Sequence, residues 1–271
     1  MNQTIITDIT QGLTTAFIDH NVSSNLAYRP QFVSNNYKEG RKVISSIEDE
    51  LLSCEQFAIS VAFITMSGIT PLLQTSKELE KRGIPGRILT TDYLTSSDPK
   101  ALRKLEEFSN LHVKMYVTDQ TEEGFHTKGY IFKKEEMYRI IVGSSNMTLH
   151  ALTVNREWNT RIVSTEQGEY AQSVLTEFED LWNSPQAIEF KQFIDSYTEN
   201  YTRNKIIRKQ KELARQEQIP SLEAYRLQPN SMQTGFINNL QKIYDAGEDK
   251  ALLISATGAG GIIMTSQAKI A

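Results

Sequence analysis

The sequence contains little cysteine and no long apolar segment. Cys54 is the only cysteine among 271 residues, which excludes an intrachain disulfide framework and any multi-cysteine zinc site. The longest apolar runs, residues 57–65 and 251–256, are far shorter than the roughly 20 residues that a transmembrane helix requires. We therefore expect no membrane span. Cys54 precedes the first run, and we predict an inert, partly buried thiol there.

The chain also lacks a secretory signal and an excess of positive charge. Residues 1–10 contain neither a basic segment nor a long apolar core, so we predict a cytoplasmic protein. The formal net charge is -4, whereas affinity for nucleic-acid phosphates comes from clustered Lys and Arg. Any nucleic-acid surface must therefore be local.

One cluster of positive charge could form such a surface. It contains six cations within a thirteen-residue segment, with Glu212 as the one acid among them: Arg203, Lys205, Arg208, Lys209, Lys211 and Arg215. We predict that Arg203, Lys205, Arg208 and Lys209 bind nucleic acid. A solvated helix or linker is the alternative explanation of the same charge run.

The hydrophobic periodicity predicts an α/β fold with a mixed sheet flanked by helices. Predicted strands cover residues 57–65, 87–91, 111–117, 125–132, 138–142 and 158–163. Predicted helices cover residues 38–52, 67–81, a segment that begins at Asp98-Pro99, residues 166–182 and residues 186–215. Asp can cap a helix and Pro fits its first turn, which favours a helix start at Asp98.

The chain changes character after the basic cluster, where Pro220 and Pro229 bracket a polar stretch. We therefore predict one domain over residues 1–217 and a second element over residues 218–271. In the second element the pattern predicts a helix over 232–246, a strand over 250–255 and a glycine-rich turn over 257–261.

Three short groups of polar residues carry the chemistry. His126-Thr127-Lys128 lies in a predicted strand, where alternation places His126 and Lys128 on one face. Gly143-Ser144-Ser145-Asn146 ends an apolar strand with a glycine for a tight turn and donors for a phosphate oxygen. Glu157 follows Asn155 and Arg156. Each group alone also has an ordinary structural explanation, such as a strand surface or a helix cap.

Together these groups resemble the signature of the phospholipase D superfamily: His-x-Lys, then Gly-Ser-x-Asn some twenty residues later, then an acid. The resemblance covers roughly residues 38–182. It implies that His126 attacks phosphorus to form a phosphohistidine, that Lys128 and Asn146 stabilise charge on the non-bridging oxygens, and that Glu157 orients the imidazole. Ser144 and Ser145 are expected to bind the substrate.

The resemblance implies no metal or other cofactor. The four histidines, at positions 20, 112, 126 and 150, show no metal-ligand spacing. The family pattern also contains an Asp at the position of Lys133. Its loss favours nuclease-like relatives, which vary at this position, over lipases. His150 and Arg156 match no signature position and are interpreted as structural or substrate-side residues.

The carboxy-terminal element resembles the start of a superfamily 2 helicase. Residues 227–233 are similar to its adenine motif, and residues 256–262 to its ATP-binding phosphate loop. Gly261 and Ile262 replace the lysine and the hydroxyl residue that bind phosphate and magnesium. We therefore expect a helicase-associated chain that does not itself bind ATP tightly, and a truncated helicase domain.

Three functions remain open at this point. The first is a metal-independent nuclease, with DNA favoured over RNA as its substrate. The second is a module that grips DNA phosphates without cutting, and the third is a phosphodiesterase for lipid or another substrate. Related enzymes use two His-x-Lys motifs per active site, whereas we expect this chain to supply one, His126-Thr127-Lys128. We therefore predict a homodimer with a shared site.

Overall fold

The structure is a computed structural model that describes residues 3–21, 23–118, 124–218 and 231–247. The chain divides into two compact units, residues 1–207 and 208–271. The described helices are α1 (Gln3–Ile18), α2 (Val43–Ser53), α3 (Met66–Ile69), α4 (Leu73–Lys81), α5 (Pro99–Glu106), α6 (Leu149–Thr153), α7 (Glu169–Asn183), α8 (Phe190–Gln218) and α9 (Ser231–Asp245). The described strands are β1 (Gln31–Val33), β2 (Gln56–Val61), β3 (Gly86–Thr91), β4 (Leu111–Tyr116), β5 (Lys128–Lys134), β6 (Met137–Gly143), β7 (Asn159–Thr165) and β8 (Ala187–Glu189).

The strands form one mixed sheet in the first unit. Their order is β1-β7-β6-β5-β2-β3-β4-β8. Strands β2, β3 and β4 are parallel, and every other pairing is antiparallel. The predicted fold class, an α/β protein with a mixed sheet flanked by helices, is confirmed.

Both faces of the sheet are covered, which explains why the central strands read as continuous apolar runs. From Phe57 to Val61 every residue of β2 is buried. One face packs against α2, α5 and α8, with Ile47, Leu102 and Phe193 among its buried residues. The other face packs against α7 through Phe178 and Trp182. Cys54 belongs to the first core and is only 1% exposed, so it is more deeply buried than predicted.

The predicted helix start at Asp98 is confirmed. The Asp98 side chain accepts a hydrogen bond from the Lys100 amide at the start of α5, and Pro99 occupies its first turn. After α4 the chain turns at Gly83, whose φ of 66° lies in the left-handed region that glycine tolerates.

Other boundaries differ from the prediction. Helix α8 begins at Phe190 rather than at residue 186, because residues 187–189 pair with the edge of β4. Strand β5 begins at Lys128, so His126 precedes the strand. Helix α9 agrees with the predicted helix over 232–246. The predicted strand over 250–255, the turn over 257–261 and the phosphate-loop residues lie outside the described residues.

No helix in the described parts of the chain is long and apolar enough to cross a membrane.

Candidate active site

The sequence motifs meet at one edge of the sheet. Lys128 begins β5 and is paired with Val61, the last residue of β2. Gly143 ends β6 and is paired with Asn159, the first residue of β7. We call this edge, where β2 and β6 end and β5 and β7 begin, the motif edge. Antiparallel pairing therefore brings together segments that lie far apart in the sequence.

His126 and Lys128 contact each other at the motif edge. The Lys128 Nζ atom lies 2.9 Å from His126 Nδ1 and donates a hydrogen bond of 2.9 Å to the His126 carbonyl oxygen. The His126 ring is exposed and makes an edge contact with Phe63, with ring centroids 6.2 Å apart. The two side chains are therefore neighbours, as the sequence predicts, and the imidazole is open to solvent.

The Lys128 ammonium group is held in a partly desolvated position. Burial lowers the pKa of Lys128 from its ordinary value, and the nearby negative charge of Glu157 opposes this shift in pKa. A partly desolvated cation interacts more strongly with an anion than an exposed one does. This environment suits a group that stabilises charge on a phosphate.

Ser144 and Glu157 form a hydrogen-bonded pair beside this cation. The Ser144 hydroxyl donates to Glu157 Oε2 and accepts a 3.0 Å bond from the Trp158 amide. The Ser144 amide in turn donates to the Trp158 carbonyl at 3.0 Å. Within the described residues, no hydrogen bond joins Glu157 to His126. The acid therefore fixes Ser144 here, rather than orienting the imidazole as the resemblance implied.

Ser145, predicted to bind substrate, points into the protein instead. It is 0% exposed, and its hydroxyl accepts a 2.9 Å bond from Asn159 Nδ2. Its carbonyl accepts a bond of 3.0 Å from the buried Tyr130 hydroxyl. In this arrangement the Ser145 side chain is inaccessible to a substrate, because Asn159 and Tyr130 use it to anchor the turn.

Asn159 is a positioning residue that the sequence reasoning missed. It is 3% exposed, and its Oδ1 accepts from the Ser145 amide at 3.2 Å while its Nδ2 also donates to the Val33 carbonyl at 3.1 Å. It thereby ties the Gly-Ser-Ser-Asn turn to β1. The available signal was its place two residues after Glu157, at the start of a strand.

The Asn146 amide is oriented by the backbone of the segment after β2. Its Oδ1 accepts a bond of 3.1 Å from the Phe63 amide. Because the oxygen is engaged, the two Nδ2 hydrogens point elsewhere and remain available to an acceptor such as a phosphate oxygen. Asn146 is half-buried, consistent with its predicted place at the site.

The remaining residues singled out from the sequence lie elsewhere or are simply exposed. Lys133, which replaces the family Asp, is paired with Gln56 at the opposite edge of the sheet and forms a 2.7 Å ion pair with Glu166. His150 and Arg156 are exposed. The predicted nucleic-acid residues are all exposed on α8, which suits both a binding surface and a solvated helix: Arg203, Lys205, Arg208 and Lys209.

A second His-x-Lys triplet, His112-Val113-Lys114, has no such surroundings. It lies near the start of β4, and β4 runs parallel to β2 and β3, so it is at the opposite edge. Lys114 is paired with Glu189 at 3.0 Å. In the parts of the chain that the structure describes, no group of three or more His, Cys, Asp or Glu could hold a metal ion.

Comparison with known proteins agrees with this geometry. Residues 49–182 match the family model described as "Cardiolipin synthase, PLD-like domain". This segment is therefore similar to phospholipase D-like domains. It contains His126, Lys128, Asn146 and Glu157, so the match supports the phospholipase D-like part of the resemblance drawn from the motifs. No curated protein matches the chain.

Solved structures with similarity to the chain include two bacterial proteins that match it over nearly their whole length. NucT from Helicobacter pylori is 15% identical, with a TM-score of 0.47, over 60% of this chain and 99% of that one. Nuc from Salmonella typhimurium, described as a phospholipase D family member, is 18% identical, with a TM-score of 0.46, over 60% and 99%. Phosphatidylserine synthase from Haemophilus influenzae is 15% identical, with a TM-score of 0.46, over 68% of this chain and 46% of that one.

Proposed function

We propose that the phospholipase D-like domain is a metal-independent phosphodiesterase that cleaves nucleic acid through a phosphohistidine. The observation that carries this proposal is the convergence of an exposed imidazole, a partly desolvated ammonium and an oriented amide at the motif edge. These belong to His126, Lys128 and Asn146. A nucleophile beside preorganised donors is the arrangement that phosphoryl transfer requires.

In the first step, a nitrogen lone pair of His126 attacks phosphorus and the bond to the leaving oxygen breaks. Lys128 Nζ and the Asn146 Nδ2 group donate to the non-bridging oxygens as their negative charge grows. The Ser144 hydroxyl becomes a further ligand for the phosphate when it donates its one proton to a phosphate oxygen in place of Glu157. A water molecule then attacks the phosphohistidine, which releases the phosphate end and restores the imidazole.

The leaving oxygen needs a proton, and this requirement is the reason to propose a homodimer. Two-fold symmetry would place the partner's copy of the His-x-Lys motif across the same phosphate, so that one imidazole attacks while the other, protonated, supplies the proton. In the second step the same partner imidazole would remove a proton from the attacking water. The binding-module alternative is a monomer with half a site, which holds phosphate but has no general acid.

Nucleic acid is the proposed substrate, with DNA favoured over RNA. The replacement of the family Asp by Lys133 and the helicase-like sequence after residue 218 support it, and the exposed cations of α8 supply local positive charge. Association with a helicase and a cytoplasmic location are part of the same proposal.

A lipid phosphodiester is the second candidate, and one specific observation favours it. A cavity of about 380 Å³ opens beside Lys128, with Gly129, Ile131, Val142 and Phe178 among its lining residues. Such an apolar cavity suits an acyl chain. The family model is also named after a lipid enzyme.

The decisive experiment is cleavage of labelled single-stranded DNA, double-stranded DNA and phospholipid vesicles in EDTA. We expect cleavage of DNA that His126→Ala abolishes, because the covalent route is lost. His112→Ala is the matched control, since it alters the other His-x-Lys triplet, and should retain cleavage. DNA cleavage that survives His126→Ala, or that requires added magnesium, would refute the mechanism. Hydrolysis of vesicles alone would support the lipid candidate.

The shared site is tested by mixing subunits. Heterodimers of wild type with His126→Ala lack one of the two imidazoles at each site, so they should be strongly impaired. Heterodimers with half the wild-type activity or more would contradict the shared site. So would a protein that sediments as a monomer at micromolar concentration while cleaving DNA.

A further inference from the structure

Two aromatic rings are exposed next to Glu157. Trp158 directly follows Glu157 and is 74% exposed, and Phe32 on the edge strand β1 is 60% exposed. Their ring centroids are 5.9 Å apart at an interplanar angle of 80°. Burying large rings is strongly favourable in water, so an exposed pair of this size is a feature that a ligand can use.

The backbone of Trp158 is fixed to the site while its ring is free to meet a ligand. Its amide donates to the Ser144 hydroxyl, and its carbonyl accepts from the Ser144 amide. The loop before it is also tied down, because Asn35 donates to the Asn155 carbonyl at 2.7 Å. The Trp158 backbone is therefore anchored beside Ser144, which places the ring next to the proposed site.

Positive charge accompanies the rings. Arg156, on the other side of Glu157, is exposed. Phe32 also lines a cavity of about 690 Å³, with Arg29 and Lys42 in its walls. Three further charged or titratable residues line the same cavity: His20, Arg41 and Asp49. Arg41 is paired with Glu39 at 3.1 Å. The other charged residues beside the rings are three cations and two acids, namely Arg29, Lys42, Arg156, Asp49 and Glu157.

We propose that Trp158 and Phe32 form a stacking platform for unpaired bases of a single-stranded nucleic acid, and that Arg156, Arg29 and Lys42 hold the adjoining phosphates. This inference rests on the proposed nucleic-acid function and deepens it by naming the strand state and the residues that grip it. Aromatic rings bind bases of any sequence, because every base has a stacking face, and cations between the rings attract the backbone. Paired bases in a duplex have their faces covered and cannot use this platform.

The composition of the chain offers a direct reporter. Its two tryptophans are Trp158 and Trp182, and Trp182 is buried at 8% exposure and stacked on Phe178. Quenching of fluorescence by an added oligonucleotide therefore reports on Trp158. The measurements use full-length chains carrying His126→Ala, so that the oligonucleotide is bound but not cut.

We expect an unstructured oligonucleotide of about 12 nucleotides to quench Trp158. Trp158→Ala should raise its Kd about tenfold or more, and Phe32→Ala should raise it less. Trp158→Phe, which keeps a ring, should stay within about threefold of the parent while the quenching disappears. An abasic strand should bind the parent more weakly but bind Trp158→Ala no more weakly than the normal strand does. Tyr170→Ala is the control and should leave Kd unchanged, because Tyr170 is 38% exposed and follows the end of β7, whereas Trp158 precedes its start.

The outcomes separate the inference from the function on which it rests. If the oligonucleotide does not bind the parent chain at all, the nucleic-acid function fails. If it binds without quenching and with the same Kd after Trp158→Ala, only the platform fails. Equal affinity for duplex and single strand would also overturn it. Conversion of a dimer to a monomer by Trp158→Ala in sedimentation would overturn it by assigning the rings to self-association.

Discussion

The chain contains the same triplet, His-x-Lys, at both edges of its sheet. His126 and Lys128 lie at the motif edge beside Ser144, Asn146 and Glu157. His112 and Lys114 lie at the opposite edge, where Lys114 forms an ion pair with Glu189 at 3.0 Å and contacts the Trp182 ring at 4.9 Å.

The difference lies in what the neighbouring strands contribute. The turn after β6 and the start of β7 place hydrogen-bonding side chains beside the first triplet, and the His126 imidazole stays exposed. The second triplet has an anion and an indole ring as neighbours, which neutralise and cover the ammonium group. The triplet alone therefore does not define a site, and the two triplets differ in the segments that surround them.

The largest expected effect is on the rate of DNA cleavage, which should depend on Lys128 and not on Lys114. Lys128→Met should lower kcat for DNA cleavage by about 10² to 10³-fold, because it removes one preorganised donor from the developing phosphate charge. Lys114→Met, the matched change at the opposite edge, should keep kcat within about twofold. Steady-state kinetics in EDTA give both numbers. Similar losses in the two variants would mean that the triplets do not differ in function.

The sequence alone predicts which residues accompany the first triplet. It does not predict the hydrogen bonds that position the neighbouring turn. The spacing from His126 and Lys128 to Asn146 and Glu157 predicts that these residues lie together, although His126 precedes β5 rather than lying in it. The burial of Ser145 was not predictable, because it depends on Asn159 reaching across from the next strand. The edge strand β8 was likewise missed, since three residues carry too little periodicity to distinguish a strand from the start of a helix.

The glycines beside the two triplets provide the next comparison. A Cβ atom on Gly143 would overlap with the Trp158 carbonyl and lie 2.5 Å from the Asn159 Cα atom. A Cβ atom on Gly86, which is paired with Leu111 beside the second triplet, would overlap with the Phe57 ring. We expect Gly143→Ala and Gly86→Ala each to reduce the free energy of unfolding by about 1–3 kcal/mol.

Only one of these two glycine variants should also lose activity. Gly143→Ala pushes on the backbone that carries Glu157 and Trp158, whereas Gly86→Ala displaces core side chains at the opposite edge. Urea unfolding together with kcat measured well below the transition separates the effects. If Gly86→Ala impaired cleavage as much as Gly143→Ala, the activity loss would reflect general destabilisation.

A smaller effect concerns the protonation of Lys128. Burial lowers the pKa of Lys128 below its ordinary value near 10.5, and the Glu157 charge partly restores it. Trace acetylation followed by mass spectrometry across pH should therefore give a midpoint for Lys128 below 10.5 in the native protein. Glu157→Gln should move that midpoint lower still, because the restoring charge is gone. A midpoint that rises in Glu157→Gln would contradict this account.

The linked effect on stability has a defined sign. Folding lowers the pKa of such a lysine, so the charged form destabilises the folded state at every pH below the folded-state pKa. This destabilisation disappears as the pH rises from the folded-state pKa to the unfolded-state pKa. Lys128→Met should therefore leave stability at neutral pH unchanged or slightly raised. This result would support the proposed role of Lys128, because functional sites often contain charged groups that lower stability.

The smallest expected effect is on stability, for which Lys114 should matter more than Lys128. Lys114 is only 16% exposed in its side chain and is paired with Glu189, and its Nζ atom also donates to the Trp182 carbonyl at 3.3 Å. Lys114→Met removes this ion pair and the contact with the indole ring, so we expect a loss of about 1 kcal/mol, or about 2–4 °C in Tm. Tryptophan fluorescence measures it locally, because Trp182 contacts the altered side chain. The loss should shrink at high salt, since charge pairs at the surface are screened. A larger loss of stability for Lys128→Met than for Lys114→Met would reverse the assignment, because it would make Lys128 the structural lysine of the two.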